Sequence, residues 1–301
     1  MKASAAVKQA VRRTMTRISP LWSTKLSYRF KFHRPLNLDK PETLNEKLLW
    51  LKFHDFRDNE LVRECADKYR VRQYIEQAGC GELLNELYGV YRTPEEIDWA
   101  ALPERFVLKL NTASGYNRLV LDKDKADKAA LNAEMHTWLK EGPKFYLNFA
   151  EMQYKDAEPL ILAEKLLCDS QGRIPDDIKL HCFNGKVLLI LSCVDRYNPG
   201  KTKYLFYDRD WNLVLNCSGI PGCSIEKPAC LDRAIALAEK LAEPFPFVRV
   251  DLYSLDDKII FGEMTFTPAS GLNNLWLGKP EGSDQDVDHL YGPLLKLPTD
   301  R

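Results

Sequence analysis

The sequence predicts an α+β fold with antiparallel strands and a helical N-terminal region. Apolar runs flank short turns at two places, residues 184–185 and 254–258, and Asn-Gly at the first suits a type I′ hairpin. Before residue 80, apolar residues recur at the spacing of amphipathic helices. Hairpins together with separate helices are typical of α+β domains.

The composition of the 301 residues is that of a globular protein, and the length suits roughly two domains or one large one. Lys plus Arg and Asp plus Glu number 43 each, so the net charge indicates no particular partner, and we expect no nucleic acid. The eight cysteines form no Cys-x-x-Cys pair, which argues against a zinc or redox site and for a reducing cytoplasm. No apolar run approaches the ~18 residues of a membrane span.

Residues 1–40 form a basic arm. Nine Lys and Arg residues precede the first acid, Asp39. A helix as far as Arg17 would suit peripheral contact with an anionic membrane, at about 1 kcal/mol per basic residue. The alternatives are a solvated tail and a helix docked on the body through Leu21 and Trp22.

Residues 41–100 are expected to be helical. Thr43 and Glu46 make a capping box for a helix that runs to about Phe56. A second helix is predicted over 59–77, with the charges of residues 67–72 on a solvated face. A third, short helix begins at residues 93–95, and a later one over 124–140 would cover a sheet.

The runs on either side of residues 254–258 predict a hairpin that carries acids. Arg249 and Asp251 share a face of the first strand, and Glu263 and Thr265 share a face of the second. Oxygen ligands that converge from rigid strands suit magnesium carrying nucleotide phosphates, and an arginine beside them would hold developing negative charge. The alternative is an exposed hairpin whose charges face water.

A second candidate site follows residue 105. Lys109 lies in an apolar strand, where lysine is rarely buried unpaired, so we expect an anion nearby. Ser114 and Gly115 are small enough to let backbone N–H groups approach phosphate oxygens. A simple hairpin turn is the alternative.

Three further patterns allow two interpretations each. Glu164, Lys165 and Leu167 lie at the end of a predicted strand, which taken alone is a plain strand with one exposed ion pair. Lys179 shares a strand face with His181, a residue more often structural than catalytic. Residues 144–156 fit either a mobile substrate-side loop or an irregular core connection.

A basic cluster lies between the hairpin at residues 184–185 and the hairpin at residues 254–258. Arg196, Lys201 and Lys203 suit an anionic acceptor, or form a solvated surface. Asp208-x-Asp210 is the metal-binding pattern of glycosyltransferases, although here it falls in a predicted turn.

Arg249-x-Asp251 followed by Glu263-x-Thr265-x-x-Pro268 resembles the metal-binding end of the ATP-grasp ligases, in which an acid on one strand and a Glu-x-Asn on the next bind two magnesium ions. Thr265 stands at the position of that Asn, so the second metal site would be looser or completed by water. The resemblance implies an ATP-grasp fold, with two α+β subdomains clasping ATP between antiparallel sheets.

The resemblance also implies a role for each candidate residue. The ATP-binding residues would be Lys109, Ser114, Gly115, Glu164, Lys165, Leu167 and Lys179. Glu164 or the Lys165 carbonyl would accept a hydrogen bond from the adenine amine. The metal ligands for Mg²⁺ would be Asp251, Glu263 and Thr265, and the catalytic residues Arg249 and Lys179. The substrate-binding residues would be Arg196, Lys203, Ser270 and Gly271.

The expected division is an arm (1–40), a helical region (41–100), a small lobe with the phosphate-binding loop (101–167), a large lobe with the metal-binding hairpin (168–275) and a wrapping tail without its own element (276–301).

Four segments, residues 65–72, 106–109, 177–185 and 206–211, look like the ATP-grasp branch similar to teichuronopeptide-biosynthesis proteins. That branch is associated with bacterial capsule, O-antigen and other surface polysaccharides. The resemblance implies ATP-dependent joining of a carboxylate, such as a uronic acid in a saccharide, to an amine through an acyl phosphate. The alternatives are a glycosyltransferase and a saccharide phosphotransferase. We expect a cytoplasmic protein, with the inner membrane face as the site of any peripheral contact.

Overall fold

Within the part of the chain that the structure describes, several helices precede the first strand and others lie between later strands. The computed structural model describes residues 2–169, 171–194, 202–255 and 258–298. The helices are α1 (Lys2–Ile18), α2 (Pro20–Phe32), α3 (Leu44–His54), α4 (Glu60–Ala66), α5 (Val71–Gln77), α6 (Lys128–Glu141), α7 (Leu231–Ala242) and α8 (Val287–Tyr291). The strands are β1 (Leu87–Tyr91), β2 (Phe106–Leu110), β3 (Asn117–Val120), β4 (Ile161–Lys165), β5 (Asp177–Phe183), β6 (Lys186–Val194), β7 (Lys203–Tyr207), β8 (Leu213–Asn216), β9 (Phe247–Leu255) and β10 (Lys258–Thr265).

The strands form two antiparallel sheets, which confirms the predicted α+β fold. The small sheet has the order β1-β4-β2-β3, and the large sheet has the order β10-β9-β5-β6-β7-β8. β1 was not expected, because it lies in the segment predicted to be helical. It pairs with β4, whose residues are more than 60 positions away, so local sequence gives little indication of it.

Alternation along the strands gives the large sheet one apolar face and one polar face. Leu180 and Val250 are buried toward α7, where the Cys182 thiol lies 3.8 Å from the Ala238 carbonyl. Lys179 and Asp251 have the opposite parity and therefore project from the other face. The polar groups of the site thus share one side of the sheet.

The helical region follows the predicted capping chemistry with one correction. Thr43 and Glu46 form the capping box, and α3 ends at His54. The helix predicted over 59–77 is broken, because the buried Asp67 carboxylate accepts hydrogen bonds from the N–H groups of Tyr69 and Arg70. These bonds make a local turn that competes with helical hydrogen bonding.

The arm is a helical hairpin docked on the body. Arg13 binds Glu141 at 2.6 Å and Asn148 at 2.8 Å. Leu21 and Trp22 are exposed, so the prediction that docking involves these two residues is wrong. Of the described helices, none combines the length and apolarity needed to cross a bilayer.

Two further connecting segments contain short helices. Residues 142–154 contain two 3-10 helices with Leu147 and Met152 buried, as an irregular core connection requires. The C-terminal segment was expected to lack an element of its own, yet it contains α8. Asp286 caps α8, and Asp288 accepts a hydrogen bond from the Asn45 N–H at 2.7 Å.

Candidate functional site

The hairpin of β9 and β10 places its two acids opposite each other. Asp251 pairs with Glu263 and Arg249 pairs with Thr265, after a β-bulge between Phe261 and Glu263. Gly262 occupies the bulge, and a Cβ there would lie 3.0 Å from the Asp251 carbonyl oxygen. A larger residue would therefore push apart the two strands that carry the acids.

Arg249 connects the polar side chains of this hairpin. Its Nε donates to Asp251 Oδ1 at 2.6 Å, and its terminal nitrogen donates to Glu263 Oε1 at 3.2 Å and Thr265 Oγ1 at 3.0 Å. Thr265 in turn donates to Glu263 Oε1 at 3.1 Å. Burial disfavours the guanidinium charge, but Asp251 and Glu263 outweigh it and raise the Arg249 pKa.

Lys179 reaches the same group from the neighbouring strand β5, where it pairs with Asp251. Its ammonium contacts the carboxylates of Asp177 and Asp251. Burial opposes the charge, but these acids hold the Lys179 pKa above its usual value. The Lys179 ammonium therefore contributes positive charge to the cleft.

The Glu263 carboxylate remains ionised although its side chain is partly buried. Burial raises its pKa, but Lys68, Arg249 and Lys179 together lower that pKa to about 2. Its side chain is 39% exposed, and Oε2 lies 3.8 Å from the Lys68 ammonium. A charged and accessible carboxylate is the kind of group that binds a hard cation.

Lys68 is a site residue that the sequence analysis missed. It was assigned to a solvated helix face, yet its ammonium donates to the Ala113 carbonyl at 2.8 Å and faces Glu263. The turn at Asp67 directs the Lys68 side chain toward Glu263. The Asn111 side-chain amide fixes this turn by donating a hydrogen bond to the Asp67 carboxylate at 2.6 Å. The Asp-Lys pair within residues 65–72, one of the motifs that carried the family resemblance, was the available indication.

The small sheet supplies the opposite wall. Lys109 on β2 binds the Glu164 carboxylate on β4 at 2.8 Å. The anion predicted beside this lysine is thus at least in part a protein side chain. The following loop folds back on the strand through a hydrogen bond from the Leu110 N–H to the Tyr116 carbonyl at 2.9 Å. It presents Ser114 and Gly115 to the space between the sheets.

These groups surround one cleft of about 190 Å³. The charged residues that line it are Lys68, Lys109, Glu164, Asp177, Lys179, Asp251 and Glu263. Lys109 comes from the small sheet, whereas Lys179 comes from the large one. The two lysines and two acids singled out from the sequence therefore converge between the sheets.

A second cavity, of about 380 Å³, continues from the cleft and is more apolar. Val107, Leu119 and Leu167 line it, whereas Lys109 and Tyr253 line both spaces. The Lys165 carbonyl on its border accepts a hydrogen bond from Asn85 at 2.8 Å. Glu164, by contrast, turns into the first cleft toward Lys109.

A third cavity, of about 410 Å³, lies on the other side of Arg249. It is lined by polar groups of Lys179, Tyr204, Asn273 and Asn274. The hydroxyls, amides and cations of this cavity suit a polar, anionic molecule.

Most of the predicted substrate residues lie elsewhere. Lys203 lies between two lining residues, Thr202 and Tyr204, so strand alternation turns its side chain away. Arg196 and Lys201 fall outside the described residues. Gly271 packs against Leu49 in the interior, which is a structural role.

Ser270 borders a different space from the predicted one, and His181 is buried in a structural role. Ser270 borders a groove beside α1, and its carbonyl accepts a hydrogen bond from Lys52 at 3.1 Å. His181 borders the third cavity but is buried, which lowers its pKa to about 3. Its Nδ1 lies 3.2 Å from the Leu189 carbonyl, as expected for a neutral structural histidine.

The metal-ligand set is smaller than a complete cage. Among the described residues, no three His, Cys, Asp or Glu side chains converge on one point. Glu263 fits a magnesium ion, because its charge is retained and one oxygen faces the cleft. Asp251 is already bound by Arg249 and Lys179, and the Thr265 hydroxyl is bound to Glu263. Any ion here would need phosphate or water oxygens to complete its coordination.

Two antiparallel sheets that face each other across a cleft lined by cations define an ATP-grasp architecture. The family described as TupA-like ATPgrasp matches residues 46–293. The chain therefore belongs to the TupA-like ATP-grasp family. No curated protein sequence matches it.

Solved ligases are similar to the chain at low identity. The ADP complex of N5-carboxyaminoimidazole ribonucleotide synthetase (purK) is 16% identical, with a TM-score of 0.47 over 82% of this chain and 57% of that one. D-alanine–D-alanine ligase from Bacillus anthracis complexed with ATP is 16% identical, with a TM-score of 0.41 over 67% and 55%. ATP-grasp ligase PsnB complexed with minimal precursor is 13% identical, with a TM-score of 0.43 over 83% and 66%. The chain spans less than two thirds of each.

Proposed function

We propose that the protein is an ATP-dependent carboxylate–amine ligase that works through an acyl phosphate. The observation that carries this proposal is the cleft in which Lys109 and Lys179, from different sheets, face the ionised Glu263. Cations on both sides of a narrow space complement a polyphosphate.

The nucleotide would extend from the second cavity into the first. Its base would lie against Val107 and Leu167, near the Lys165 carbonyl. Its phosphates would replace Glu164 as the partner of Lys109 and would approach the N–H groups of the Ser114–Gly115 loop. The shared Tyr253 borders the junction of the two spaces.

Glu263 would be the main protein ligand for Mg²⁺ at the phosphates, and Asp251, whose oxygens are bound by Arg249 and Lys179, would support it from the neighbouring strand. When bound, the ion would neutralise phosphate charge and polarise the γ-phosphoryl group. Thr265 would act mainly by orienting Glu263, because its hydroxyl donates to that carboxylate. Arg249 would keep both acids in register.

The reaction would proceed in two displacements. A substrate carboxylate attacks the γ-phosphorus of ATP, the bond to the β-phosphate oxygen breaks, and ADP leaves. An amine then attacks the acyl carbon, phosphate leaves with the bonding electron pair, and the amine loses a proton to give an amide. Lys179 lines both the cleft and the third cavity, and Arg249 lines the third cavity, so that the two cations would stabilise the negative charge of both transition states.

The acceptor would be a saccharide carboxylate, such as a uronic acid, in the biosynthesis of a bacterial surface polysaccharide. The third cavity supports this class, because Tyr204, Asn273 and Asn274 can bind hydroxyls while Arg249 pairs with a carboxylate. All eight cysteines are free thiols, in keeping with a cytoplasmic location. The basic arm would provide peripheral contact with anionic lipid at the inner membrane face.

Product analysis tests the reaction type. Purified full-length protein is incubated with ATP and Mg²⁺, with and without uronic acids and amines. A ligase releases ADP and phosphate only when both acceptors are present and yields an amide. ADP with a phosphorylated sugar would instead identify a phosphotransferase, and no use of ATP would contradict the proposal.

The glycosyltransferase alternative has little support in the structure. The Asp208 carboxylate accepts hydrogen bonds from the N–H groups of Asp210 and Asn212 at 2.9 and 2.8 Å. The Asp-x-Asp pattern therefore has a role in holding its turn.

A further inference from the structure

A groove of about 980 Å³ lies between α1 and α2 and is also lined by Phe149, Ala269 and Leu272 of the body. Val7, Val11 and Phe30 line it and remain 61%, 53% and 73% exposed. Apolar side chains placed together and open to solvent gain free energy when an apolar molecule covers them.

Cations occur among these apolar residues. Lys8, Arg12 and Lys31 line the same groove, and the Arg12 guanidinium lies 4.4 Å from the centre of the Phe149 ring. The arm contains no acid before Asp39 that would neutralise them internally. Long basic side chains can cover apolar surface with their stems and present charge at its edge, which complements an anionic amphiphile.

The groove shares a wall with the third cavity. Ala269 lines both spaces, and Arg249 and Lys179 also line the third cavity. Lys52 fixes this wall, because its buried ammonium binds the carbonyls of Ser270 and Phe149. The groove and the third cavity are therefore adjacent at Ala269.

We propose that the groove between α1 and α2 binds the single apolar chain of a phosphate-bearing lipid, and that the saccharide acceptor is attached to this lipid. The placement of the head group in the third cavity rests on the function proposed above. The chain would contact Val7, Val11 and Phe30, while Lys8, Arg12 and Lys31 would bind the phosphate.

Calorimetric titration of the full chain with farnesyl phosphate, below its micellar concentration, tests this site. We expect saturable binding that weakens at least about tenfold in Val11→Glu, because the new carboxylate would be desolvated by the chain and would repel the phosphate. Ile18→Glu is the matched control, since it adds the same charge to the same helix at an 81% exposed position outside the groove. It should leave the affinity unchanged.

Other ligands and variants identify the source of binding. Farnesol should bind more weakly, and inorganic phosphate should not displace farnesyl phosphate. Phe30→Glu repeats the test on the second helix, and circular dichroism verifies that each variant retains its helix content. Equal weakening by Val11→Glu and Ile18→Glu would indicate adsorption of the whole arm and overturn the proposal, as would displacement by phosphate alone.

Nucleotide binding separates this inference from the proposed function. ATP affinity should be unchanged in Val11→Glu, because the groove does not border the nucleotide cleft. Native protein that binds ATP but not farnesyl phosphate would overturn the inference alone. Native protein that binds farnesyl phosphate but not ATP would overturn the proposed enzyme and the head-group placement, leaving the lipid site intact.

Discussion

Arg249 is the residue on which the geometry of the site depends most. It contacts Asp251, Glu263 and Thr265 at once, and its planar fork fixes the angle between these groups. A lysine would retain the charge but lose the bidentate contact with Asp251. The acids would then be free to move relative to each other.

Glu263→Gln should abolish most turnover without loss of the fold. The amide keeps the shape and can still accept from Thr265 and Arg249, but it lacks the negative charge a metal ligand needs. We expect kcat to fall by about 10²–10³-fold, the effect of removing one electrostatic contact in a catalytic site. Steady-state ADP release measures this loss.

Glu243→Gln is the matched control, because Glu243 is exposed at the end of α7. It should retain full activity. Denaturant midpoints should be similar in both variants. Undiminished turnover in Glu263→Gln would remove Glu263 from the metal site.

His181 should make the protein less stable in acid. Burial keeps its folded-state pKa near 3, whereas an unfolded histidine titrates near 6.5. Between these values the unfolded state binds the extra proton, so the free energy of unfolding falls as the pH decreases from about 6.5 toward 3. The contribution approaches about 1.4 kcal/mol per pH unit.

Urea unfolding at several pH values checks this dependence. His181→Gln should flatten the curve by up to that slope relative to the native protein. His33→Asn, which changes an exposed histidine, should leave it as it was. Parallel curves for the native protein and His181→Gln would show that His181 is not held neutral.

At the scale of single residues, sequence reasoning found groups whose type and neighbours were unusual. Lys109 and Lys179 were informative because lysine is rare within apolar strands. Lys68 was not, because a charged residue in a helical pattern is ordinarily solvated. The direction of the Lys68 side chain depends on the buried hydrogen bond between Asp67 and Asn111. These residues are 44 positions apart, so no local pattern reveals the contact.

At the scale of elements, the bulge of the β9–β10 hairpin requires glycine at position 262. Gly262→Ala should destabilise the protein by about 1–3 kcal/mol, because the added carbon meets the Asp251 carbonyl and the Tyr253 ring at 3.0 Å. Movement of Glu263 should also raise the KM for ATP. Denaturant unfolding and initial rates measure the two effects.

Gly81→Ala serves as the comparison. Its new carbon would lie 3.6 Å from the Glu76 side chain, an ordinary contact. Little change is expected in either stability or KM. If the two alanine variants behave alike, the bulge has no special part in holding the acids.

Turns and helix caps that depend only on neighbouring residues were predicted correctly. The Asn184-Gly185 turn has positive φ at both residues, 48° and 80°, as a type I′ turn requires, and Thr43 and Glu46 cap α3 as expected. The break at Asp67 and the strand β1 were missed for the opposite reason. β1 pairs with a strand remote in the chain, and the local turn at Asp67 is held by the equally remote Asn111, so tertiary contacts override local propensity.

Across the whole molecule, ATP should stabilise the fold by joining the two sheets. At 100 times its Kd, a ligand that binds only the folded state adds about 2.7 kcal/mol. For a protein of this size, each kcal/mol of added stability raises Tm by about 2–4 °C at most. A clear upward shift with MgATP in differential scanning calorimetry is therefore expected.

Lys109→Gln should reduce this shift strongly, because the small sheet would lose its phosphate contact. Lys279→Gln, on the exposed C-terminal segment, should preserve it. An equal shift in both variants would indicate that nucleotide does not bind between the sheets.

The convergence of the two lobes was anticipated from the order of motifs, whereas the cavities were not. The third cavity and the α1–α2 groove form where segments distant in sequence pack together, so neither has a sequence pattern of its own. The predicted divisions at residues 100, 167 and 275 remain predictions.

A crystal structure of the full chain with Mg²⁺ and a non-hydrolysable ATP analogue tests the central claim most directly. We expect the adenine beside Leu167, the phosphates between Lys109 and Lys179, and the metal on Glu263. A nucleotide bound away from the space between the two sheets would contradict the proposed ligase site.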